Sequence, residues 1–116
     1  MYKILVIDDE IDICEMIKDF FSNRGYEVIY ALTGQGGLDA FDIEKPYIII
    51  LDLCLKDMFG LEVLKKIKNA RSSCVVIIIT GSALEEDKNE AIRLGTDYYM
   101  AKPFSMSKLN DIISKL

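Results

Sequence analysis

The stretch KILVIDDE, residues 3–10, runs four apolar residues, Ile4, Leu5, Val6 and Ile7, straight into Asp8, Asp9 and Glu10. An unbroken apolar run of this kind reads as a β-strand covered on both faces, as strands of parallel sheets are. Its ending is costly. Two like charges about 4 Å apart repel by ~4 kcal/mol at an effective dielectric near 20. The acids therefore need a countercharge, or they must splay into water.

Outward from this strand the pattern repeats. Strand candidates fall at residues 3–7, 27–30, 47–51, 75–79 and 97–100, and YIIIL and VVIII are continuous apolar runs like the first. Between them lie amphipathic blocks. Ile13, Cys14, Ile17, Phe20 and Phe21 share one face of a helix, with Gly25 as its stop. Leu61, Leu64 and Ile67 line another, with Lys65, Lys66 and Lys68 crowding the negative end of its dipole. Ser82 and Glu85 match a capping box opening a fourth helix that ends near Gly95. Ser105 caps a last helix, with Leu109, Ile112 and Ile113 facing inward. Strand–helix alternation of this kind predicts an α/β fold of five βα units, a parallel sheet with right-handed crossovers and helices on both faces. The Gly-rich LTGQGG, residues 32–37, lacks the GxxxxGK[ST] spacing of a nucleotide-phosphate loop and reads as a turn with Thr33 as a cap.

The 116 residues suit one domain, 1–116, and 51% hydrophobic with 28% charged residues describes a globular chain. A formal net charge of −5 argues against direct binding of nucleic acid or an anionic membrane. No apolar run approaches the roughly 20 residues of a membrane span, and Asp8 and Asp9 interrupt any signal-peptide pattern. Cys14, Cys54 and Cys74 are odd in number, sit in apolar segments and read as core thiols of a reducing compartment. The expected location is cytoplasmic. Histidine is absent, which excludes Ser-His-Asp and Cys-His centres and leaves acid–base chemistry to Asp, Glu, Lys or Tyr.

Open parallel sheets bind ligands beyond the carboxyl ends of their strands. There stand Asp8, Asp9 and Glu10 after the first strand and Asp52 after the third. Thr80, Gly81 and Ser82 follow the fourth, and Lys102 and Pro103 the fifth. With adjacent strands about 4.8 Å apart, three aspartates converge in one cleft opposite a hydroxyl and an ammonium. Carboxylate oxygens and water are the ligands Mg²⁺ prefers, and a divalent cation would offset the repulsion. A carboxylate not spent on metal can attack phosphorus while cationic and hydroxyl donors hold the phosphoryl oxygens. Asp52, Lys102 and Thr80 suit those roles. Taken singly, each has a plainer reading. Asp9 or Glu10 complements the N-terminus of the first helix, Asp52 is a turn acid, and Thr80 is an ordinary strand residue. Lys102 is then a solvated lysine and Pro103 a loop proline.

Through VIDDE, LDLCLKDMFG, VVIIIT and YYMAKPFS the whole chain resembles the receiver domain of two-component response regulators, of the CheY-like type. The resemblance implies a three-layer, doubly wound sheet like that of flavodoxin, with strand order 2-1-3-4-5. It implies a signalling domain that takes a phosphoryl group onto Asp52 from a histidine kinase or histidine phosphotransfer protein. Such a domain catalyses only its own phosphorylation and dephosphorylation. Mg²⁺ or Mn²⁺ would be held by Asp9, Asp52 and the backbone carbonyl of Cys54, with Asp8 acting through water. Lys102 would pair with the phosphoryl group, next to a cis Lys102–Pro103 bond. The receiver would signal to an output domain or effector protein, as a monomer or a phosphorylation-dependent dimer, with no nucleic acid or membrane contact of its own.

Thr80 and Tyr99 are the implied switch. Phosphorylation adds about −1.5 to −2 charge and strong acceptor oxygens. Thr80 can swing to bond one of them, vacating space for Tyr99 and altering the face built from the fourth helix, fifth strand and fifth helix. Strand alternation puts Tyr98 and Tyr99 on opposite sides; a buried core aromatic is the plainer reading of Tyr99. Lys56 stands where the family often has proline, which predicts a more mobile acceptor turn, and Gly81 stands where alanine is common. Cys54 and Ser82 occupy positions that tune dephosphorylation in the family, and a thiol and a short hydroxyl there imply a moderately long-lived phosphoryl state. Other chemistries fit less well. An aspartyl phosphatase needs an acid where Cys54 stands, and a flavin carrier needs a phosphate loop where this chain has Asp8, Asp9 and Glu10. An unphosphorylated interaction module would not need the full set of site residues.

Overall fold

The computed structural model describes residues 2–116. In chain order its elements are β1 (Lys3–Ile7), α1 (Ile11–Ser22), β2 (Glu27–Ala31), α2 (Gly34–Glu44) and β3 (Ile48–Leu51), followed by α3 (Gly60–Ala70), β4 (Val75–Thr80), α4 (Glu85–Arg93), β5 (Tyr98–Ala101) and α5 (Met106–Ser114). The strands pair in parallel in the order β2-β1-β3-β4-β5. This is the parallel sheet with helices on both faces expected from the strand–helix alternation, in the strand order that the family resemblance implies. Four of the five strands differ from the sequence reading by a residue at one or both ends, and β4 runs on to include Thr80.

The two-residue period of the strands sorts their side chains into two cores. Ile4, Val6, Ile48, Ile50, Val75, Ile77 and Ile79 pack against Cys14, Ile17 and Phe21 of α1 and Leu109 and Ile113 of α5. Leu5, Ile7, Ile49, Leu51, Val76 and Ile78 pack the other way, against Phe41 of α2, Val63, Leu64 and Ile67 of α3 and Ala91 of α4. Burying one such side chain contributes ~1.5–3 kcal/mol. The central strands thus draw stabilisation from both faces, which is why their sequences carry no polar alternation.

Helix ends follow the sequence in part. Thr33 Oγ1 accepts the Gly36 N–H at 3.0 Å, and Ser105 Oγ accepts that of Lys108 at 3.2 Å. Gly25 and Gly95 adopt φ of 93° and 98° just past α1 and α4, where a side chain would be strained. The Ser82–Glu85 capping box does not form. The chain stays extended through Leu84, which is the N-cap of α4, and the Ser82 hydroxyl instead donates to Asp87 at 2.7 Å. Lys68 stands in the last turn of α3, as expected, and donates to the carbonyls of Ser72 and Cys74 and to Asp97. Cys14 and Cys74 are buried, as expected of core thiols, but Cys54 is exposed, because the residues after Asp52 leave the sheet. Among the described residues no helix is long and apolar enough to cross a membrane.

Candidate functional site

Register brings the strand ends together. Ile7 lies beside Leu51, and the Asp52 N–H donates to the Ile7 carbonyl at 3.0 Å, so Asp8 and Asp52 leave the sheet side by side. Thr80 lies beside Ala101, and the Lys102 N–H donates to the Thr80 carbonyl at 2.8 Å, carrying Lys102 to the same rim. Asp8 and Asp52 are each only 3% exposed and Thr80 is fully buried.

The Lys102 ammonium closes the cluster. Its Nζ lies 2.8 Å from Asp52 Oδ2, 3.0 Å from Asp8 Oδ2 and 2.6 Å from Glu10 Oε2. The second Asp52 oxygen accepts the Cys54 N–H at 3.0 Å, and the second Asp8 oxygen accepts the Glu10 N–H at 2.9 Å. Burial works to lower the Lys102 pKa, but hydrogen bonds to Asp52, Glu10 and Asp8 hold it above the ordinary lysine range. Burial raises the Asp8 carboxyl, although the Glu10 amide and Lys102 pull against it. Lys102 is therefore no solvated surface lysine. It supplies part of the compensation that the acidic run after β1 requires.

Part, but not all, of that compensation comes from Lys102. Three carboxylates against one ammonium leave two surplus negative charges. Oxygens of Asp8, Glu10 and Asp52 lie within 4.8 Å of one another. The adjoining pocket of about 440 Å³ is lined by Asp9, Glu10, Asp52, Cys54, Gly81 and Lys102, among others. An all-oxygen donor set with surplus negative charge and room for water fits a hard divalent cation. On sequence grounds Glu10 reads as a complement to the N-terminus of α1. Glu10 is indeed the N-cap position, but its side chain makes no cap bond and reaches Lys102 instead. Asp9 lines the pocket without joining the tight cluster.

The other expected residues lie around this centre. The Thr80 hydroxyl accepts the Ser82 N–H at 3.2 Å and sits 3.6 Å from Cys54 Sγ. Tyr99 packs on the core facing α2, α3 and α4, while Tyr98 is 40% exposed, so the two tyrosines take opposite sides. The Tyr99 hydroxyl is buried and has no hydrogen-bond partner among the described residues. The Lys102–Pro103 peptide is cis.

The family model for the response regulator receiver domain matches residues 4–114. The chain belongs to that family. Among curated relatives, this receiver is 37% identical over 108 residues to the alkaline phosphatase synthesis transcriptional regulatory protein PhoP of Bacillus subtilis. The match takes in 93% of this chain and 45% of PhoP, so the receiver spans about half the length of that relative. It is 32% identical over 113 residues to sporulation initiation phosphotransferase F of the same organism, covering 97% of this chain and 91% of the relative. Among solved structures, a CheY-like response regulator receiver domain protein from Methanospirillum hungatei JF-1 superposes with a TM-score of 0.96 at 31% identity. That match covers 99% of this chain and 92% of the other.

Proposed function

We propose that this receiver accepts a phosphoryl group on Asp52 from a phosphohistidine of a histidine kinase or histidine phosphotransfer protein. The observation that carries the reading is the buried Asp52 carboxylate held between the Cys54 amide and the Lys102 ammonium at the mouth of a solvent-open pocket. An Asp52 oxygen attacks phosphorus. The new P–O bond forms as the P–N bond breaks, and the electron pair leaves with the donor's imidazole, which regains a proton. Lys102 shifts its hydrogen bond from Asp52 to a phosphoryl oxygen, keeping Glu10 as an anchor.

Mg²⁺ or Mn²⁺ suits the donor set. Asp9, Asp52 and the Cys54 carbonyl would hold it, with Asp8 contributing through water, as the family resemblance implies. Bound there, the cation withdraws charge from the phosphoryl oxygens. The protein itself supplies the nucleophile, the ammonium and the Thr80 hydroxyl.

The switch reading rests on Thr80 and Tyr99. Thr80 leaves Cys54 and the Ser82 amide to donate to a phosphoryl oxygen, and Tyr99 moves toward the space it vacates, where its orphaned hydroxyl finds a partner. The α4–β5–α5 face then changes for an output domain or effector protein. One relative is a longer regulatory protein and another a phosphotransferase of nearly the same length, so both output control and phosphorelay are within the reading. The side chains of Cys54 and Ser82 carry no amide or carboxylate to position an attacking water, which supports a moderately long-lived phosphoryl state.

Beryllofluoride, a phosphoryl analogue, tests the reading by NMR. With Mg²⁺ it is expected to shift the amides of Thr80, Gly81 and Tyr99 and those of the α4–β5–α5 face. Removing Mg²⁺ or introducing Asp52→Asn should abolish the shifts. Shifts that persist in Asp52→Asn would contradict the assignment of the acceptor.

A further inference from the structure

The loop that follows Asp52 is fastened from outside the site. Asp57 is exposed, yet both of its oxygens are engaged: Oδ1 accepts the Gly34 N–H at 2.8 Å and Oδ2 that of Gln35 at 3.0 Å. These residues open α2, and the first N–H groups of a helix have no partner within it. Thr33 satisfies Gly36, so Asp57 completes a cap that the helix begins for itself. Met58 adds a steric contact, since a Cβ on Gly34 would lie 2.4 Å from Met58 Cγ and 2.6 Å from its Sδ. The path onward to the acceptor is short. Phe59 forms a bridge with Cys54, Gly60 N–H donates to the Leu53 carbonyl at 3.0 Å, and Cys54 N–H donates to Asp52 Oδ1.

We propose that Asp57 is a positioning residue for phosphoryl acceptance, whose clasp on the first turn of α2 holds residues 53–59 in the shape that presents Asp52 and the Cys54 carbonyl to the cleft. The inference rests on the receiver reading above. Bonds from the Gln35 and Gly34 amides hold the Asp57 carboxyl below the ordinary carboxylate range, so the clasp is fully charged at neutral pH. Lys56 gives the turn a reason to need it. Without a proline's fixed φ at that position, the loop takes its rigidity from the contact with α2.

The test compares wild type, Asp57→Ala and Asp57→Asn by residue-resolved hydrogen exchange and by phosphorylation from acetyl phosphate at subsaturating Mg²⁺. In Asp57→Ala, exchange at Cys54 and Gly60 is expected to speed up about fivefold along with Gly34 and Gln35, the fold-change that corresponds to a lost capping bond. Amides of β1 and β4 should not change, and phosphorylation should slow several-fold. Asp57→Asn keeps one acceptor oxygen but turns an NH2 group toward the second amide, so it should recover only part of both losses. Exchange changes confined to residues 34–37, with phosphorylation unaltered, would overturn the proposal. A wild type that takes no phosphoryl group would instead overturn the receiver reading, and the exchange data would still decide the clasp.

Discussion

Lys102→Ala is expected to destabilise the metal-free protein by about 3 kcal/mol, the scale of breaking a buried ion pair. The side chain is only 15% exposed, and its partners Asp8 and Asp52 are 5% and 3% exposed. Removing it leaves three converging acids with no countercharge. Mg²⁺ should therefore raise the denaturation midpoint of the variant more than that of wild type. The pH dependence has a definite sign. The Lys102 pKa is raised on folding, against burial, by its bonds to Asp52, Glu10 and Asp8. Its stabilisation is fully present below the ordinary lysine value and is lost as pH climbs through the folded one. Wild type should lose more stability on the alkaline side than Lys102→Ala, which lacks this contribution and keeps those of groups such as Lys3 and Cys14. Denaturant melts at stepped pH, with and without Mg²⁺, check both statements. A variant as stable as wild type in the absence of metal would remove Lys102 from the account.

The second large effect is expected at Gly60, which opens α3. A Cβ there would lie 2.4 Å from the Asp52 carbonyl oxygen and 2.4 Å from Leu53 Cα. Both are backbone atoms and cannot rotate away as a side chain can. Gly60→Ala must push α3 off the loop that follows Asp52, straining the Gly60–Leu53 hydrogen bond and the Cys54–Phe59 bridge. Overpacking of this kind costs about 1–3 kcal/mol, and we expect the upper end with phosphorylation slowed as well. Gly81→Ala is the control. Nothing lies within 4 Å of a Cβ at Gly81, so its melt should stay within about 0.5 kcal/mol of wild type. Equal stabilities for the two variants would show that the close packing of α3 on the backbone of Asp52 and Leu53 is not what constrains Gly60.

The fold is legible in the sequence because β1, β3 and β4 are covered on both faces. Runs such as Ile48, Ile49, Ile50 and Leu51 have no solvent side on which a polar residue could interrupt the pattern. The meeting of Asp8, Asp52, Thr80 and Lys102 is legible for a related reason, since parallel strands deliver their carboxyl ends to one rim. What escapes the sequence is closure across that rim. Glu10 and Lys102 are 92 positions apart, and the adjacent helix α1 offers Glu10 a simpler local role. Ser82 shows the converse error: its spacing to Glu85 fits a capping box, but the chain after Thr80 stays extended and Asp87 takes the hydroxyl. Cys54 misled through its apolar neighbours. Leu53 is buried, yet Cys54 is exposed in the loop that its bridge to Phe59 closes. Asp57 is invisible as a cap because the helix it serves lies 22 and 23 residues earlier in the chain.

The most direct test of Asp52 as a metal-dependent phosphoryl acceptor is intact mass after incubation with acetyl phosphate. Wild type and Asp52→Asn are compared with Mg²⁺ and with a chelator. A single phosphoryl adduct is expected on wild type with Mg²⁺ and none in the other three samples. An adduct on Asp52→Asn, or none on wild type when Mg²⁺ demonstrably binds, would contradict it.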